Sequence, residues 1–362
     1  MDLQQRWEKL QGKLKEKKIS ALVIINIGNN NFANQYYISG FTGSDGIVIF
    51  GPQHRILITD SRYYEQAKKG VPNFRIILQG NSATETLAMM LKKDSISHLG
   101  VEEEHISYTF YRELKRKLFF LRLVPIKGWV ENLRAIKEEK EIWILRRAAR
   151  IVDETFGKIL SILAPGRTEK EIAWEIETNL RQRGAEKSAF DTIVASGVRS
   201  SLPHGVATDK KIRAGNIVKM DFGAQVDGYH SDLTRTVVLG KSNRRFQKIY
   251  QVVKEAQERA ISRMRPGLKL SDVDAIARGY IRAQGYDKYF LHGLGHGVGL
   301  SVHELPALSE KAKGKLEAGM VVTVEPGIYI PGWGGVRIED MVLIGKNGAE
   351  VLTHSPKELV EV

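Results

Sequence analysis

A repeat with an offset of 101 residues is the feature that most constrains the fold of this chain. Pro165-Gly166 recurs as Pro266-Gly267, and Gly184 recurs as Gly285. In each copy a long helical pattern ends at Pro-Gly, a second helical pattern follows, and the later glycine ends that helix before strand-rich sequence. A few glycines and prolines can coincide by chance, but the shared order of elements favours duplication. The second part of the chain is therefore predicted to contain two similar halves.

A predicted hairpin in the first half carries two carboxylates on one face. Asp227-Gly228 signals a two-residue turn, and the register that it sets makes Asp221 and Asp232 diagonal neighbours, about 7–8 Å apart at Cα. In isolation the motif could be a solvated hairpin with ordinary surface acids. Its strands, however, are rich in core-forming residues: Ile217, Val218, Met220, Phe222, Val237, Val238 and Leu239. Because a buried carboxylate is costly without a partner, two on one face indicate a bound cation.

The second half offers a similar pair of acids. Alternation of apolar residues in 319–325 predicts a strand that ends at Glu325, before a Pro-Gly turn. In residues 335–343 the apolar side chains alternate so that Arg337 and Glu339 share the opposite face. If the two halves pack about a pseudo-two-fold axis, their ribbons would bring four carboxylates together.

Histidine is concentrated in residues 291–303, which contain His292, His296 and His303, three of the nine in the chain. Glycines at every second position from 293 to 299 oppose a helix and favour an extended segment whose bare edge another backbone can approach. A lone histidine is more often a core residue than a ligand, but this clustering favours a functional site. His204, at a predicted turn, is a fourth candidate.

The ligand chemistry is narrowed by the absence of cysteine, which excludes disulfides and thiolate metal sites. A set of histidine and carboxylates suits Mn²⁺ or Co²⁺, with Zn²⁺ and Fe²⁺ as alternatives. Two ions about 3.5–4 Å apart would need bridging carboxylates and could activate a shared hydroxide for hydrolysis. The His-Glu-x-x-His zinc motif is absent, because no histidine lies four residues after His303.

The length of 362 residues suits two domains, and the net charge of +13 first suggests nucleic acid or an anionic surface as a partner. The excess is divided almost evenly, with 19 basic and 12 acidic residues in 1–128 and 36 and 30 in 129–362. Both signs are mixed along the charged runs, which is typical of solvated helix faces. No apolar run is long enough for a signal peptide or a membrane span. The sequence therefore predicts a soluble cytoplasmic protein that binds neither nucleic acid nor membrane.

Residues 1–128 are predicted to form an α/β domain. Helices are predicted at 3–18 and near 62–69 and 82–93, and strands at 21–25, 46–50 and 55–59 and near 74–78 and 121–126. The asparagine-rich segment 28–34 is predicted to be a loop. A long charged helix is predicted from Val130 onward, so the domain boundary is placed between residues 128 and 129.

Together these motifs resemble the pita-bread metallopeptidase family, and within it the proline-specific Xaa-Pro aminopeptidases (aminopeptidase P) and Xaa-Pro dipeptidases (prolidase). The matching segments follow one another through the second domain, at 191–197, 202–205, 220–223, 231–236, 292–299, 324–329 and 335–340. The resemblance implies an α/β (α+β) fold with a creatinase-like N-terminal domain, residues 1–128, and a pseudo-two-fold pita-bread catalytic domain, residues 129–362. It also implies a homodimer in which the N-terminal domain lies against the partner subunit and covers the site.

The same resemblance implies five ligands for two divalent metal ions. Asp232 and Glu339 would bridge the ions, Asp221 would complete one of them, and His296 and Glu325 would complete the other. Glu325 would also take a proton from the attacking water and deliver it toward the leaving nitrogen.

For the remaining candidates the resemblance implies contacts with the substrate or with the ligands. His204, His292 and His303 match residues that position the substrate and stabilise the tetrahedral intermediate. Arg337 and Tyr329 match residues that surround the metal ligands.

The activity implied is hydrolysis of the bond between an N-terminal residue and a following proline. Such a bond is a tertiary amide without an N–H, so it requires a dedicated pocket. Segments 40–46 and 59–67 look more like short bacterial aminopeptidases P than archaeal prolidases, which makes aminopeptidase P the first prediction and prolidase the alternative. Arg62 in the second segment would equally suit a carboxylate clamp in a dipeptidase.

Two further alternatives are weaker. Methionine aminopeptidases share the five ligands, but the additional N-terminal domain and the pair His292 and His303 favour the proline-specific branch. Non-catalytic relatives that bind RNA or protein would be expected to have lost ligands, whereas the set here is intact.

Overall fold

The chain folds into two units in a computed structural model that describes residues 3–94 and 96–362. Met1, Asp2 and Ser95 lie outside the described residues. The first unit comprises residues 1–134 and the second comprises residues 135–362. The division after residue 134, rather than after residue 128, assigns all but the last residue of the helix at 129–135 to the first unit. Within the described ranges, no helix is long and apolar enough to cross a membrane.

The first unit has an α/β architecture. Its elements, in chain order, are α1 (Leu3–Lys17), β1 (Ala21–Asn26), α2 (Phe32–Ser39), β2 (Gly46–Phe50), β3 (Arg55–Thr59), α3 (Tyr64–Gly70), β4 (Arg75–Leu78), α4 (Ala83–Lys93), β5 (His98–Glu102), α5 (Tyr108–Lys117), β6 (Arg122–Ile126) and α6 (Trp129–Ala135). The strands form one sheet in the order β4-β3-β2-β1-β5-β6, in which only β2 runs antiparallel to its neighbours. Strands β1, β2, β3 and β5 pack against α4 and α5 in a shared apolar core.

The predicted strands of this unit are confirmed to within one residue, whereas α2, β5 and α5 were not predicted. The prediction of a loop at 28–34 is wrong at its end, because α2 begins at Phe32. Asparagine has a low helix propensity, but here its side chains bind a buried acid from another strand, and this tertiary contact outweighs the propensity. Ser107 is the N-cap of α5, and its Oγ accepts a hydrogen bond from the Phe110 N–H at 3.2 Å.

A buried polar network surrounds the end of β5. The Glu102 carboxyl accepts hydrogen bonds from Asn31 Nδ2 at 2.7 Å and from Asn34 Nδ2 at 2.8 Å. Asn34 Nδ2 also donates to Glu131 Oε1 at 2.5 Å, and the same oxygen lies 2.6 Å from His105 Nε2. The network therefore links α2, the end of β5 and α6 through two acids that lie close together.

We expect this network to make the stability of the first unit fall as pH rises. Burial and the neighbouring Glu131 raise the pKa of Glu102 to about 7, and the hydrogen bond with Glu131 raises the pKa of His105. Both groups hold protons more tightly in the folded state, so unfolding releases protons and the free energy of unfolding drops between about pH 5 and pH 8. For Glu102 the change corresponds to about 3 kcal/mol.

Hydrogen exchange of the β1 and β5 amides in the intact chain, corrected for intrinsic rates, would measure this dependence. Glu102→Gln should remove most of it, because the amide does not titrate. Glu103→Gln is the matched control, since Glu103 is exposed. An unchanged slope in Glu102→Gln would contradict the prediction.

The second unit contains the repeat. Its elements are α7 (Glu139–Leu160), α8 (Glu169–Gln182), β7 (Lys187–Ser188), β8 (Ile193–Ser196), β9 (Ile217–Phe222), β10 (Ala224–Val226), β11 (Tyr229–His230), β12 (Leu233–Val238), α9 (Arg244–Ile261), α10 (Leu270–Ala283), β13 (Gly295–Gly297), β14 (Glu304–Leu308), β15 (Val321–Val324), β16 (Gly327–Ile330), β17 (Gly334–Arg337), β18 (Asp340–Ile344) and β19 (Ala349–Val351). Helices α8 and α10 both start and end at the predicted offset of 101 residues. The duplication is therefore visible in the structure.

The helix predicted from Val130 onward is instead two helices, α6 and α7. The intervening residue Ile136 forms a bridge with Met320, which interrupts the helical hydrogen bonding. Glu138 then begins α7 in a capping box with Glu141, whose Oε2 accepts a hydrogen bond from the Glu138 N–H at 2.8 Å. The pattern of charged residues correctly predicted that both segments are helical, but it did not predict the break between α6 and α7.

Two ribbons supply the strands that carry the candidate ligands. Strand β9 lies between β12 and β8 in one sheet, and a second sheet has the order β14-β13-β15-β18-β19. The register of the first ribbon is the predicted one, with Val226 opposite Tyr229 and Asp221 opposite Thr234. The ribbon is interrupted at Gly223, where a Cβ atom would lie 1.9 Å from the Ser231 carbonyl oxygen. Apolar side chains of α9 and α10 pack against β15 and β18 beneath the second ribbon.

Candidate metal centre

The two acids of the first ribbon lie at one end of it and are buried. Asp221 is the fifth residue of β9, and Asp232 immediately precedes β12. Their exposed fractions are 7% and 4%. The close approach at Gly223 lies between this end of the ribbon and the exposed turn at 227–228, and the two acids line a cavity instead of the outer surface of the hairpin.

The two acids of the second ribbon are brought to the same place by backbone hydrogen bonds. The Glu325 N–H donates to the Leu294 carbonyl at 2.8 Å, immediately after β15 ends. The Glu339 N–H donates to the Thr234 carbonyl at 3.1 Å, which joins the second ribbon directly to the first. Glu339 Oε2 also accepts a hydrogen bond from Thr234 Oγ1 at 2.6 Å.

His296 enters the cluster from the glycine-rich strand β13. A Cβ atom at Gly295 would lie 2.0 Å from the Thr323 carbonyl oxygen, and one at Gly297 would lie 2.2 Å from the Leu305 carbonyl oxygen. The bare strand edges predicted from the sequence are thus needed for close packing. His296 Nδ1 lies 3.1 Å from the Gly297 carbonyl, so Nδ1 carries the proton and Nε2 is left to face the acids.

The ligand atoms converge. Those of Asp232, His296 and Glu339 all lie within 4.8 Å of one another. His296 Nε2 lies 3.3 Å from Glu325 Oε1 and 3.8 Å from Asp232 Oδ2. Asp221 Oδ1 is buried and accepts no hydrogen bond within the described part of the chain. Because a buried, unpartnered carboxylate oxygen beside three convergent ligands is costly without a cation, these residues fit a divalent metal site.

The pKa values of the clustered acids are shifted mainly because burial disfavours their charged form. Burial raises the pKa of Asp232 well above its usual value, and the nearby Glu339 adds to the effect. Burial likewise raises the pKa of Glu339 well above its usual value, with Glu325 adding to it, and burial raises that of Asp221. Burial is the largest single influence on the pKa of Glu325 and acts to raise it, but the facing His296, together with His292 and Arg337, outweighs burial and lowers the pKa to about 2. A divalent cation would favour the ionised form of all four.

A chain of side chains joins the cluster to His292. Arg337 forms an ion pair with Asp221 through Nη2 and donates from Nη1 to the Tyr329 hydroxyl at 3.0 Å. The Tyr329 hydroxyl lies 2.9 Å from His292 Nε2. Because His292 Nδ1 lies 2.8 Å from the Gly293 carbonyl, Nδ1 carries the proton and Nε2 accepts from Tyr329. Arg337 therefore contacts a candidate ligand directly. His292 is connected to that ligand only through Tyr329 and Arg337.

The cluster forms the floor of an open cavity of about 290 Å³. His204 and His303 line this cavity, and the His303 ring lies 4.1 Å from the His296 ring between centroids. His292 is not among the lining residues. Arg337 also lines the cavity, and the remaining wall consists of one acid and four apolar residues: Phe190, Asp191, Ile193, Val206 and Val302.

These wall residues were not predicted as site residues, although Asp191 and Ile193 lie in a segment that carried the resemblance. Lys219 was also missed. It is fully buried in β9, where its Nζ donates to the Leu202 carbonyl at 2.5 Å and to the Pro203 carbonyl at 2.9 Å. A lysine between the apolar residues Val218 and Met220 of a predicted core strand was the available signal for a buried cation.

Comparison with known families and structures matches both units. Residues 144–346 match metallopeptidase family M24, and residues 6–136 match the creatinase/prolidase N-terminal domain. An Xaa-Pro dipeptidase from Pyrococcus furiosus is 39% identical over 363 residues, covering 99% of this chain and 100% of that protein.

Solved structures agree with this assignment. An Xaa-Pro dipeptidase from Bacillus anthracis has a TM-score of 0.95 at 42% identity, with full coverage of both chains. An X-Pro aminopeptidase from Thermotoga maritima has a TM-score of 0.93 at 39% identity, covering 98% of this chain and 99% of that one. The chain therefore belongs to metallopeptidase family M24, in its proline-specific branch, with a creatinase-type N-terminal domain.

Proposed function

We propose that this protein is a metal-dependent Xaa-Pro dipeptidase. The observation that carries the proposal is the convergence of Asp232, His296 and Glu339, with Asp221 and Glu325 beside them, in an open cavity. The relatives named Xaa-Pro dipeptidase support the proline-specific substrate. They favour the dipeptidase alternative over the aminopeptidase P that was our first prediction.

The five side chains would hold two divalent ions, for which we propose Mn²⁺ or Co²⁺ because the set contains no sulfur. When bound, the ions would supply Lewis-acid activation of water and of the scissile carbonyl. A carboxylate oxygen of Glu325 would accept the proton of the attacking water and return it to the proline nitrogen, which leaves as an amine. His204 and His303, on the cavity wall, would donate hydrogen bonds to the oxygen that becomes negative in the tetrahedral intermediate. The apolar wall would receive the proline ring.

A second candidate function is Xaa-Pro aminopeptidase activity on longer peptides. The structure from Thermotoga maritima named X-Pro aminopeptidase is as similar to this chain as several prolidases are. Arg62 gives the dipeptidase alternative little support as a carboxylate clamp, because its Nη2 already binds Asp60 Oδ2 at 2.6 Å and lies 3.3 Å from Asp45 Oδ2.

Substrate length separates the two candidates. With a metal-loaded enzyme, we expect kcat/KM to be at least tenfold higher for an Xaa-Pro dipeptide than for the matching Xaa-Pro-Yaa tripeptide, because a dipeptidase must recognise the free proline carboxylate. A Xaa-Ala dipeptide is the control for proline specificity. Equal or faster cleavage of the tripeptide would replace the dipeptidase proposal with the aminopeptidase one.

We also propose that the protein is a homodimer, as the family resemblance implies. Sedimentation of the intact chain should give about twice its mass of 40.7 kDa. A monomer at micromolar concentration would contradict this.

A further inference from the structure

The segment 196–208 begins at the last residue of β8 and delivers cavity residues without a long helix of its own. It continues as a short 3-10 helix, Gly197–Ser201, and a turn, and Val206 then forms an isolated bridge with Ile193 of β8. Both His204 and Val206 line the cavity. A side chain on such a loop can be placed accurately only if the surrounding structure holds the loop backbone.

Both ends of this segment are held by one carboxylate, that of Glu169. Glu169 is the first residue of α8 and is fully buried. Its Oε1 accepts hydrogen bonds from the Ser196 N–H and from Ser196 Oγ, both at 2.8 Å. Its Oε2 accepts from the Thr208 N–H at 3.1 Å and from Thr208 Oγ1 at 2.7 Å. The two oxygens thus close the base of the loop.

The same carboxylate also reaches the interior of the loop. Arg199 Nε donates to Glu169 Oε2 at 3.1 Å, and Arg199 Nη2 donates to the Val206 carbonyl at 2.6 Å. Burial acts to raise the pKa of Glu169, but hydrogen bonds from Thr208 and Ser196 outweigh it and lower the pKa. An ionised carboxylate with five donors is suited to fixing this backbone, because it accepts from several directions.

The apex of the loop is held separately, from below. Besides the two bonds from Lys219 Nζ to the Leu202 and Pro203 carbonyls, Arg337 Nη1 donates to the Pro203 carbonyl at 3.1 Å. His204 therefore follows directly after an anchored carbonyl. Its position is determined when both the apex and the base are in place.

We propose that Glu169 is a positioning residue for the hydrolytic reaction, which acts by holding segment 196–208 so that His204 faces the cavity. The inference rests on the proposed function for its catalytic consequence. Its structural part, the ordering of the loop by Glu169, can be tested without any activity. Glu169 contacts neither the candidate metal ligands nor the cavity, so its effect has to pass through the loop.

Glu169→Gln is the main test, because the amide keeps the size but has only one acceptor oxygen for five donors. We expect kcat/KM for an Xaa-Pro dipeptide to fall about 10- to 100-fold, the loss typical of a small misplacement of a reacting group. Metal content should stay that of the wild type. Amide hydrogen exchange in 197–208 should become faster, with little change in β15 and β18.

A double-mutant cycle with His204→Ala identifies the route of the effect. If Glu169 acts through His204, Glu169→Gln should change kcat/KM less than about twofold once His204 is alanine. Glu171→Gln is the matched control, since Glu171 caps the same helix and accepts a hydrogen bond from the Thr168 N–H at 2.6 Å but does not touch the loop. Thr208→Val is a milder second variant that removes one donor, should Glu169→Gln fail to fold.

Three results would overturn the proposal: unchanged exchange in 197–208, an equal loss of activity in Glu171→Gln, or the same fold-loss with and without His204. If the wild-type enzyme cleaves no Xaa-Pro peptide, the proposed function fails, and hydrogen exchange still decides whether Glu169 orders the loop.

Discussion

Asp232→Asn is expected to lower kcat/KM by about 10³-fold or more and to reduce the metal content of the purified protein. The amide has nearly the same shape but only one neutral acceptor, so it cannot bridge two cations as a carboxylate can. Loss of metal removes several kcal/mol of stabilisation of developing charge, which corresponds to at least this factor in rate. Metal analysis and steady-state kinetics on the same preparation would measure both effects.

Thermal stability gives an independent measure of the same change. The buried acids repel one another without a cation, so the metal-free variant should be at least as stable as the metal-free wild type. The wild type should gain more in Tm from added Mn²⁺ or Co²⁺ than the variant, because only tight binding to the folded state stabilises it. The matched control is Asp227→Asn on the same hairpin, an exposed residue outside the cavity, which should behave like the wild type.

The histidines extend this test. His296→Ala should lower metal content, whereas His303→Ala should keep the metal and lower kcat, because His303 is assigned to the substrate.

Chelation should abolish activity in the wild type, and Mn²⁺ or Co²⁺ should restore it. Full activity in protein shown by elemental analysis to be metal-free would falsify the metal-dependent mechanism.

Asp340→Asn is expected to reduce the free energy of unfolding of the second unit by about 3–5 kcal/mol, the usual cost of breaking a buried ion pair. Asp340 and Arg235 are both fully buried, and Arg235 Nη2 lies 2.7 Å from Asp340 Oδ1. Asp340 Oδ1 also accepts from Thr353 Oγ1, while Oδ2 accepts from Gln257 Nε2 at 3.0 Å and lies 2.9 Å from Lys357 Nζ.

The substitution leaves the Arg235 guanidinium buried without its counter-charge. Arg235 also donates to the carbonyl of Glu339 and to that of Ser355, so the damage should extend to the neighbouring candidate ligand. We therefore expect weaker metal binding along with lower stability. Denaturant unfolding of the metal-free and metal-loaded protein would measure both.

Glu350→Gln is the control for this second prediction. Glu350 pairs with Arg146 at the surface, where both side chains are about half exposed, 47% and 45%. Exposed pairs contribute at most about 1 kcal/mol, so this change should be small. A loss below about 1 kcal/mol in Asp340→Asn would mean that the buried pair does not stabilise the unit as proposed.

Several parts of the fold were predictable because their signals are local. The Asp227-Gly228 turn sets the register of its own hairpin, and the structure pairs Asp221 with Thr234 as expected. The glycines around His296 required close backbone contacts, which Gly295 and Gly297 make. The repeat determined the bounds of α8 and α10, since each copy carries its own Pro-Gly and glycine stop signals.

Tertiary structure decided the rest. Asn31 immediately precedes α2 and Asn34 lies within it. Both are held there by hydrogen bonds to Glu102, which is 71 and 68 residues away in sequence. The hydrogen bonds that Glu169 accepts from segment 196–208 join residues up to 39 positions apart, and no periodic pattern in the sequence predicts them. The placement of His292 behind Tyr329 likewise depends on the meeting of two separate strands.

The sequence by itself determined which residues could serve as metal ligands and that the chain has two similar halves, because residue type, turn chemistry and alternation act over a few residues. Only the tertiary structure decided that the two ribbons meet and bring their four acids together, since this requires the Glu339 N–H to bind the Thr234 carbonyl. It also decided which residues line the cavity, because burial is a property of packed surfaces contributed by distant segments.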